Sequence, residues 1–177
     1  INVFDFKKSM AILWSNKQTV LRVAIVSGFD VLTYYFIFIF CLEFIPAVSH
    51  ISKATLYSFN NILLIFDIVV ASVIAKALNG CNRKKWLIIT SIAFTIVSTV
   101  SLAIFQYANV ELVVFIRGLL VVLAVSYASI LKPWLLDVIQ GPSQFLIINT
   151  GYYLGSDLIG KIAPAVCLGL YYYFNNS

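Results

Sequence analysis

The sequence predicts an all-α, polytopic membrane protein of about five transmembrane helices, preceded by a short interfacial segment. Three observations carry that prediction. Of the 177 residues, 62% are hydrophobic and only 11% charged, with mean hydropathy +0.98, whereas a soluble domain is about half apolar and about a quarter charged. The apolar residues gather into five long runs, and most basic residues fall between those runs. So few charges cannot solvate a globular surface, and lipid is the one plentiful apolar medium for the excess. The length suits one compact unit.

Residues 1–18 are mixed in character. Val3, Phe6, Met10, Leu13 and Trp14 recur at helical spacing with Lys7, Lys8 and Lys17 among them, as in a helix lying in the headgroups with one apolar face dipped into the bilayer. A flexible linker is the alternative. The transmembrane domain, 19–177, follows, with spans at about 20–45, 54–76, 86–106, 110–131 and 144–173. Crossing a hydrocarbon layer of about 30 Å takes roughly 20 helical residues at about 1.5 Å each, and every run reaches that length. The runs are continuous rather than alternating, which argues against a membrane barrel. The last is the longest and should tilt or bend, Pro164 offering a place to do so.

The loops set the orientation. With residues 1–18 inside, the cytoplasmic side carries Lys7, Lys8, Lys17, Arg22, Lys76, Arg83, Lys84, Lys85 and Lys132, and the opposite side only Lys53. That is a strong positive-inside asymmetry. The aromatic run Tyr171–Phe174 then falls at the outer headgroups. The net charge of +5 does not indicate nucleic-acid binding, because no basic face runs along any one element. Cys41, Cys81 and Cys167 are far apart in sequence and read as small apolar fillers. The single histidine, His50, lies in an outer loop without a metal-ligand pattern, no phosphate-binding glycine loop is present, and the carboxylates are scattered. Neither a metal, a cofactor nor an enzyme activity is expected.

The most informative residues are the ionisable ones inside the spans: Asp30, Asp67, Arg117, Asp157 and Lys161. A charge at the centre of a membrane helix costs about 2.5–3.5 kcal/mol on the insertion scale, so such groups face one another or a wet cavity. Asp157 and Lys161 stand four apart, acid first, the favoured order for a helical ion pair. Internal neutralisation and a charge relay are both open readings of that pair. Asp30 shares a polar stripe with Ser27, Thr33 and Tyr34, and Asp67 follows Asn60 and Tyr57 on its own span. Arg117 has no partner in its span, so a carboxylate on another helix, most simply Asp30 or Asp67, is expected to answer it. Gly151 and Gly155 form GxxxG, and Ser156 and Gly160 repeat the interval, which lets a neighbouring helix approach closely.

Three stretches carry a family resemblance: NKQTVLRVAIVSGFDVLTYYFIFIF, the loop AKALNGCNRKKW, and KPWLLDVIQGP followed by NTGYYLGSDLIGKIAPAVCLGLYYYF. Together they resemble the C-terminal half of a major facilitator superfamily transporter, most closely the metabolite–proton symporters that include proline/betaine transporters. The superfamily loop pattern is roughly Leu-x-Asp-Arg-x-Gly-Arg-Arg. Arg83 and Lys84 occupy its two basic positions, Asn79 stands in place of the acid, Gly80 in place of an Arg, and Asn82 in place of Gly, where it can adopt the left-handed conformation. Pro133, Asp137 and Pro164 match a later pattern, whereas Ile139, Gln140 and Gln144 replace that pattern's Phe-Pro and following Arg.

The resemblance implies alternating access between two six-helix halves. It also implies proton-coupled uptake of a small organic solute, proline/betaine-like or another metabolite, across a bacterial inner membrane. Asp30, Tyr34, Asp67, Arg117, Asp157 and Lys161 would line the substrate and proton pathway. The partners expected are membrane lipid, protons, the solute and an N-terminal transporter half. The chain begins with Ile, and five spans leave its termini on opposite sides of the membrane. It is therefore expected to be part of a longer transporter. The reading from a different class is a membrane scaffold or assembly subunit, or an inactive fragment, whose charges serve partner binding.

Overall fold

The computed structural model describes residues 6–78 and 80–175, with side chains described as far as Tyr173. Among these residues every regular element is a helix, and five helical stretches are long and apolar enough to cross a membrane. Helix α1 (Phe6–Ser15) leaves Phe6 and Trp14 exposed. It ends at Asn16, whose side-chain amide donates to the Ile12 carbonyl at 2.9 Å. Val3, counted in the apolar face of this segment, lies outside the described residues.

The first span, Lys17–Val48, is one continuous helix with a widened turn: α2 (Lys17–Tyr35), a π turn at Phe36–Phe40, and α3 (Cys41–Val48). The Cys41 N–H reaches back five residues to the Phe36 carbonyl. The next three spans are α4 (Lys53–Ala77), α5 (Arg83–Ile104) and α6 (Val110–Val138), each opened by a capping side chain. Ser52 Oγ accepts from the Thr55 N–H, Asn82 Oδ1 from Lys85, and Asn109 Oδ1 from Leu112. Such caps satisfy donors that no helical carbonyl can reach. The fifth span, Gln144–Tyr173, comprises α7 (Gln144–Gly155), a π turn at Ser156–Gly160, and α8 (Ile162–Asn175).

Two local expectations are corrected, and the irregularity of the last span is located. The fourth span does not stop at 131: α6 runs on to Val138 through Lys132 and Pro133, because Leu135 continues the buried face of Leu131 one turn further. The irregularity of the last span lies at Ser156–Gly160, where the Lys161 N–H donates to the Ser156 carbonyl at 2.9 Å. Pro164 is the third residue of α8 and stands four residues after Gly160, the last residue of that turn. In the loop between α4 and α5 the left-handed residue is Gly80, with φ 87°, whereas Asn82 has φ −66° and serves as the α5 cap.

Helix α6 is the hub. It packs against α5 on one side and α4 on another, and it also touches α2. Its buried face, including Val113, Leu120, Val121 and Val125, joins Ile37, Ile45, Leu56 and Phe94 in the main core. Opposite faces stay apolar and uncovered, as in α4 with Ile62, Ile65, Ile68 and Val69, which is the surface lipid requires. Span five packs chiefly against α2 through a glycine seam. A Cβ on Gly151 would stand 2.6 Å from Val23 Cβ, and one on Gly160 2.5 Å from Val31 Cγ1. The GxxxG register is thus a contact with span one, and Gly28 supplies the reciprocal glycine, facing the Gly155 carbonyl.

The two ends of the bundle are distinct. At one end Arg83 pairs with Asp137 and joins the start of α5 to the end of α6. At the other, the connections 49–52 and 105–109 enclose a cavity of about 640 Å³ with His50 and Tyr107 in its wall. The lysines and arginines of residues 7–22 and 76–85 therefore belong to the first end, and Lys53, paired with Glu43 at 2.6 Å, to the second.

Candidate functional site: a charged cavity between spans one, four and five

Helices α2, α6 and α7 form an open cavity of about 440 Å³ lined by Asp30, Val31, Tyr34, Ala128, Ser129, Lys132 and Tyr152. The local sequence explains the lining. On α2, Asp30 and Tyr34 stand one turn apart on one face. Ser129 and Lys132 are likewise i, i+3 on α6. Tyr152 follows Gly151, so the glycine seam that draws α7 against α2 also carries the tyrosine to Asp30. Asp30 is 13 residues beyond Lys17, which puts it about 20 Å along the helix axis, well inside the span.

Asp30 is buried, 6% exposed. Its Oδ2 accepts from the Tyr152 hydroxyl at 3.3 Å, and its Oδ1 has no hydrogen-bond partner among the described residues. The Lys132 ammonium lies over the Tyr152 ring, 6.0 Å from its centroid, a cation–π distance. The Tyr34 hydroxyl donates to Asp67 on α4, at 3.0 Å to Oδ1 and 3.3 Å to Oδ2. Each carboxylate in this region is thus held by a tyrosine of another span. The remaining residues of the polar stripe turn elsewhere: Ser27 and Thr33 are fully buried, and Thr33 Oγ1 donates to the Asp30 backbone carbonyl at 2.7 Å.

Arg117 does not meet a carboxylate, contrary to the expectation from its position. It is fully buried, and its Nη2 donates to the Ile37 carbonyl at 2.9 Å and to Asn60 Oδ1 at 2.5 Å. Both acceptors are neutral, and Ile37 lies within the π turn of span one. Asn60, two turns before Asp67 on α4, thus gives its side-chain oxygen to Arg117. Arg117 belongs to the core around Cys41 and not to the cavity.

Asp157 and Lys161 form the ion pair their spacing implies, Nζ to Oδ1 at 2.6 Å. Their side chains are 56% and 53% exposed on the outside of the bundle, away from the cavity lining. Arg83 pairs with Asp137 and also donates to the Pro133 carbonyl at 3.4 Å. Lys84 is exposed, and Asn79 lies outside the described residues.

The structure therefore brings Asp30 and Tyr34 into one cavity, joins Asp67 to it through Tyr34, and leaves Arg117 and the Asp157–Lys161 pair apart. Sequence reasoning missed Tyr152, Ser129 and Lys132. By sequence Lys132 follows directly on the fourth apolar run at 110–131 and counts with the basic residues of the cytoplasmic side. Its distance from the loop at 139–143 was the available signal. No protein-family model matches the chain, and no curated protein or solved structure shows significant similarity to it.

Proposed function

We propose that this chain is one helical half of a major-facilitator-type secondary transporter, carrying a small organic solute such as a proline/betaine-like osmolyte or metabolite with protons across a bacterial inner membrane. One observation carries the reading: an open cavity between three apolar spans is lined by a buried carboxylate, one oxygen of which has no hydrogen-bond partner among the described residues. A structural acid in hydrocarbon is ordinarily satisfied on both oxygens. An acid in the wall of such a cavity, tied on one oxygen by Tyr152 and left without a partner on the other, is a candidate to exchange a proton beside a bound solute.

The exposed Asp157–Lys161 pair adds support for a second bundle as partner. Charges on the outer face of a span call for a polar neighbour or water, and a companion half supplies one. The same pair favours the second reading, a membrane assembly subunit whose charged face binds a partner without transport.

Proteoliposome uptake separates them. Proline and glycine betaine are offered under an inward proton gradient, to the chain alone and to the chain joined to a compatible N-terminal half. Gradient-driven accumulation supports transport. Asp30→Asn, which keeps the shape and removes the titratable charge, should insert normally, retain downhill exchange and lose accumulation. Unchanged accumulation in that variant excludes Asp30 as the coupling group, and loss of insertion makes it structural.

A further inference from the structure

Asp30 and Lys132 line one cavity with opposite charges, yet they do not close on each other. No ion pair within 4.0 Å links them among the described residues. Tyr152 stands between, its hydroxyl on Asp30 and its ring under the Lys132 ammonium. A lysine that serves only to anchor a helix end sends its ammonium along its own helix to the headgroups. Here the ammonium lies over a ring from another span, beside Ser129 on its own helix. A ring face attracts a cation without satisfying its N–H donors, so the ammonium keeps its donors for an anionic acceptor. The cavity of about 440 Å³ has room for one.

We propose that Lys132 is the anion-recognising residue of this cavity and that its solute carries a carboxylate, an inference that rests on the cavity being the solute site. The carboxylate takes charge-assisted hydrogen bonds from Lys132, with the Ser129 hydroxyl as a second donor and the Tyr152 ring as a flat wall for the solute's apolar part. Asp30 opposes it across the cavity. A solute acid seated near Asp30 repels that carboxylate when it is ionised, so a bound proton on Asp30 and a bound acid on Lys132 favour each other by charge alone.

The test is equilibrium binding to the purified chain in phosphatidylethanolamine–phosphatidylglycerol nanodiscs, measured by titration calorimetry. The probes are benzoate and N-acetylglycine, each set against its neutral amide, benzamide and N-acetylglycinamide. Each acid is expected to bind at least about tenfold more tightly than its amide, the size of one charge-assisted hydrogen bond. Lys132→Met and Lys132→Gln should erase the preference, Lys132→Arg should keep part of it, and Tyr152→Phe, which retains the ring, should keep most of it. An acid preference that survives in both Lys132→Met and Lys132→Gln overturns the assignment. Equal binding of acids and amides to the unaltered chain overturns it too, while leaving the cavity standing as a solute site. Failure of all four probes to bind removes the cavity's role and this inference together.

Discussion

The glycine seam between spans one and five gives the most direct test of how this bundle is held. In Gly151→Ala the new Cβ would meet Val23 Cβ at 2.6 Å, Val23 Cγ1 at 2.7 Å and the Val20 carbonyl at 2.9 Å. Carbon atoms prefer about 3.5–4.0 Å, so the two helices must separate by about 1 Å to accept one methyl group. Val23 cannot turn aside, because a β-branched side chain in a helix has essentially one rotamer. At Gly155 the obstacle is the Ala24 backbone itself, which has no rotamer to change. Overpacking of this kind costs about 1–3 kcal/mol, and a gap of up to about 1 Å also forfeits a quarter to a half of the dispersion along the seam. Gly118 and Gly169 meet nothing within 4 Å and serve as controls. There the same change should be neutral, or stabilise by up to about 1 kcal/mol through helix propensity. Cys41, fully buried in the core, is a native reporter. With Cys81 and Cys167 replaced by serine, a thiol-reactive fluorophore reads Cys41 exposure during heating in detergent. Gly155→Ala and Gly151→Ala should unfold at distinctly lower temperature than Gly118→Ala. Equal midpoints for all three would refute the close approach of spans one and five.

Two further predictions follow from the same geometry. The turn containing Cys81 belongs to the basic end, so an impermeant maleimide should modify Cys81 in inside-out vesicles and leave it unmodified in intact cells; labelling from outside reverses the topology. Asp157→Ala should lower the yield of folded protein more than the double change Asp157→Ala/Lys161→Ala, because the single change strands an ammonium on the face of a span. Equal yields would show that the pair does not neutralise itself.

What was legible in the sequence is what depends on neighbours along the chain. Five spans could be read because transfer into hydrocarbon sums over consecutive residues. The Asp157–Lys161 pair could be read because i, i+4 is a property of one helix, and its 2.6 Å contact needs no second span. GxxxG announced a close approach but not its partner, since Gly28 and Val23 on span one complete the seam only in three dimensions. Lys132 shows the opposite failure. Lys-Pro resembles a helix end, yet α6 continues for a further turn and more because a proline's lost hydrogen bond weighs less than the burial of Leu135 and its neighbours.

Arg117 shows why the site needed the structure. A lone arginine in a span suggests a carboxylate partner, because opposite charge is the strongest attraction available. Two oriented dipoles can take a carboxylate's place when they converge on one nitrogen, and the Ile37 carbonyl and Asn60 amide do so at 2.9 and 2.5 Å. The π turn at Phe36–Phe40 is part of that arrangement, since a widened turn loosens the regular i to i+4 pairing and presents carbonyls sideways. The outcome for the cavity is decisive. With Arg117 bonded to neutral acceptors in the core, Asp30 is not neutralised by a guanidinium, and its Oδ1 has no hydrogen-bond partner among the described residues. Its nearby cation is then Lys132, held off by the Tyr152 ring instead of locked to it. A carboxylate clamped by a buried arginine would be scaffolding, whereas Asp30 shares its cavity with a lysine that no ion pair locks to it, which is the arrangement the proposed proton and acid binding requires.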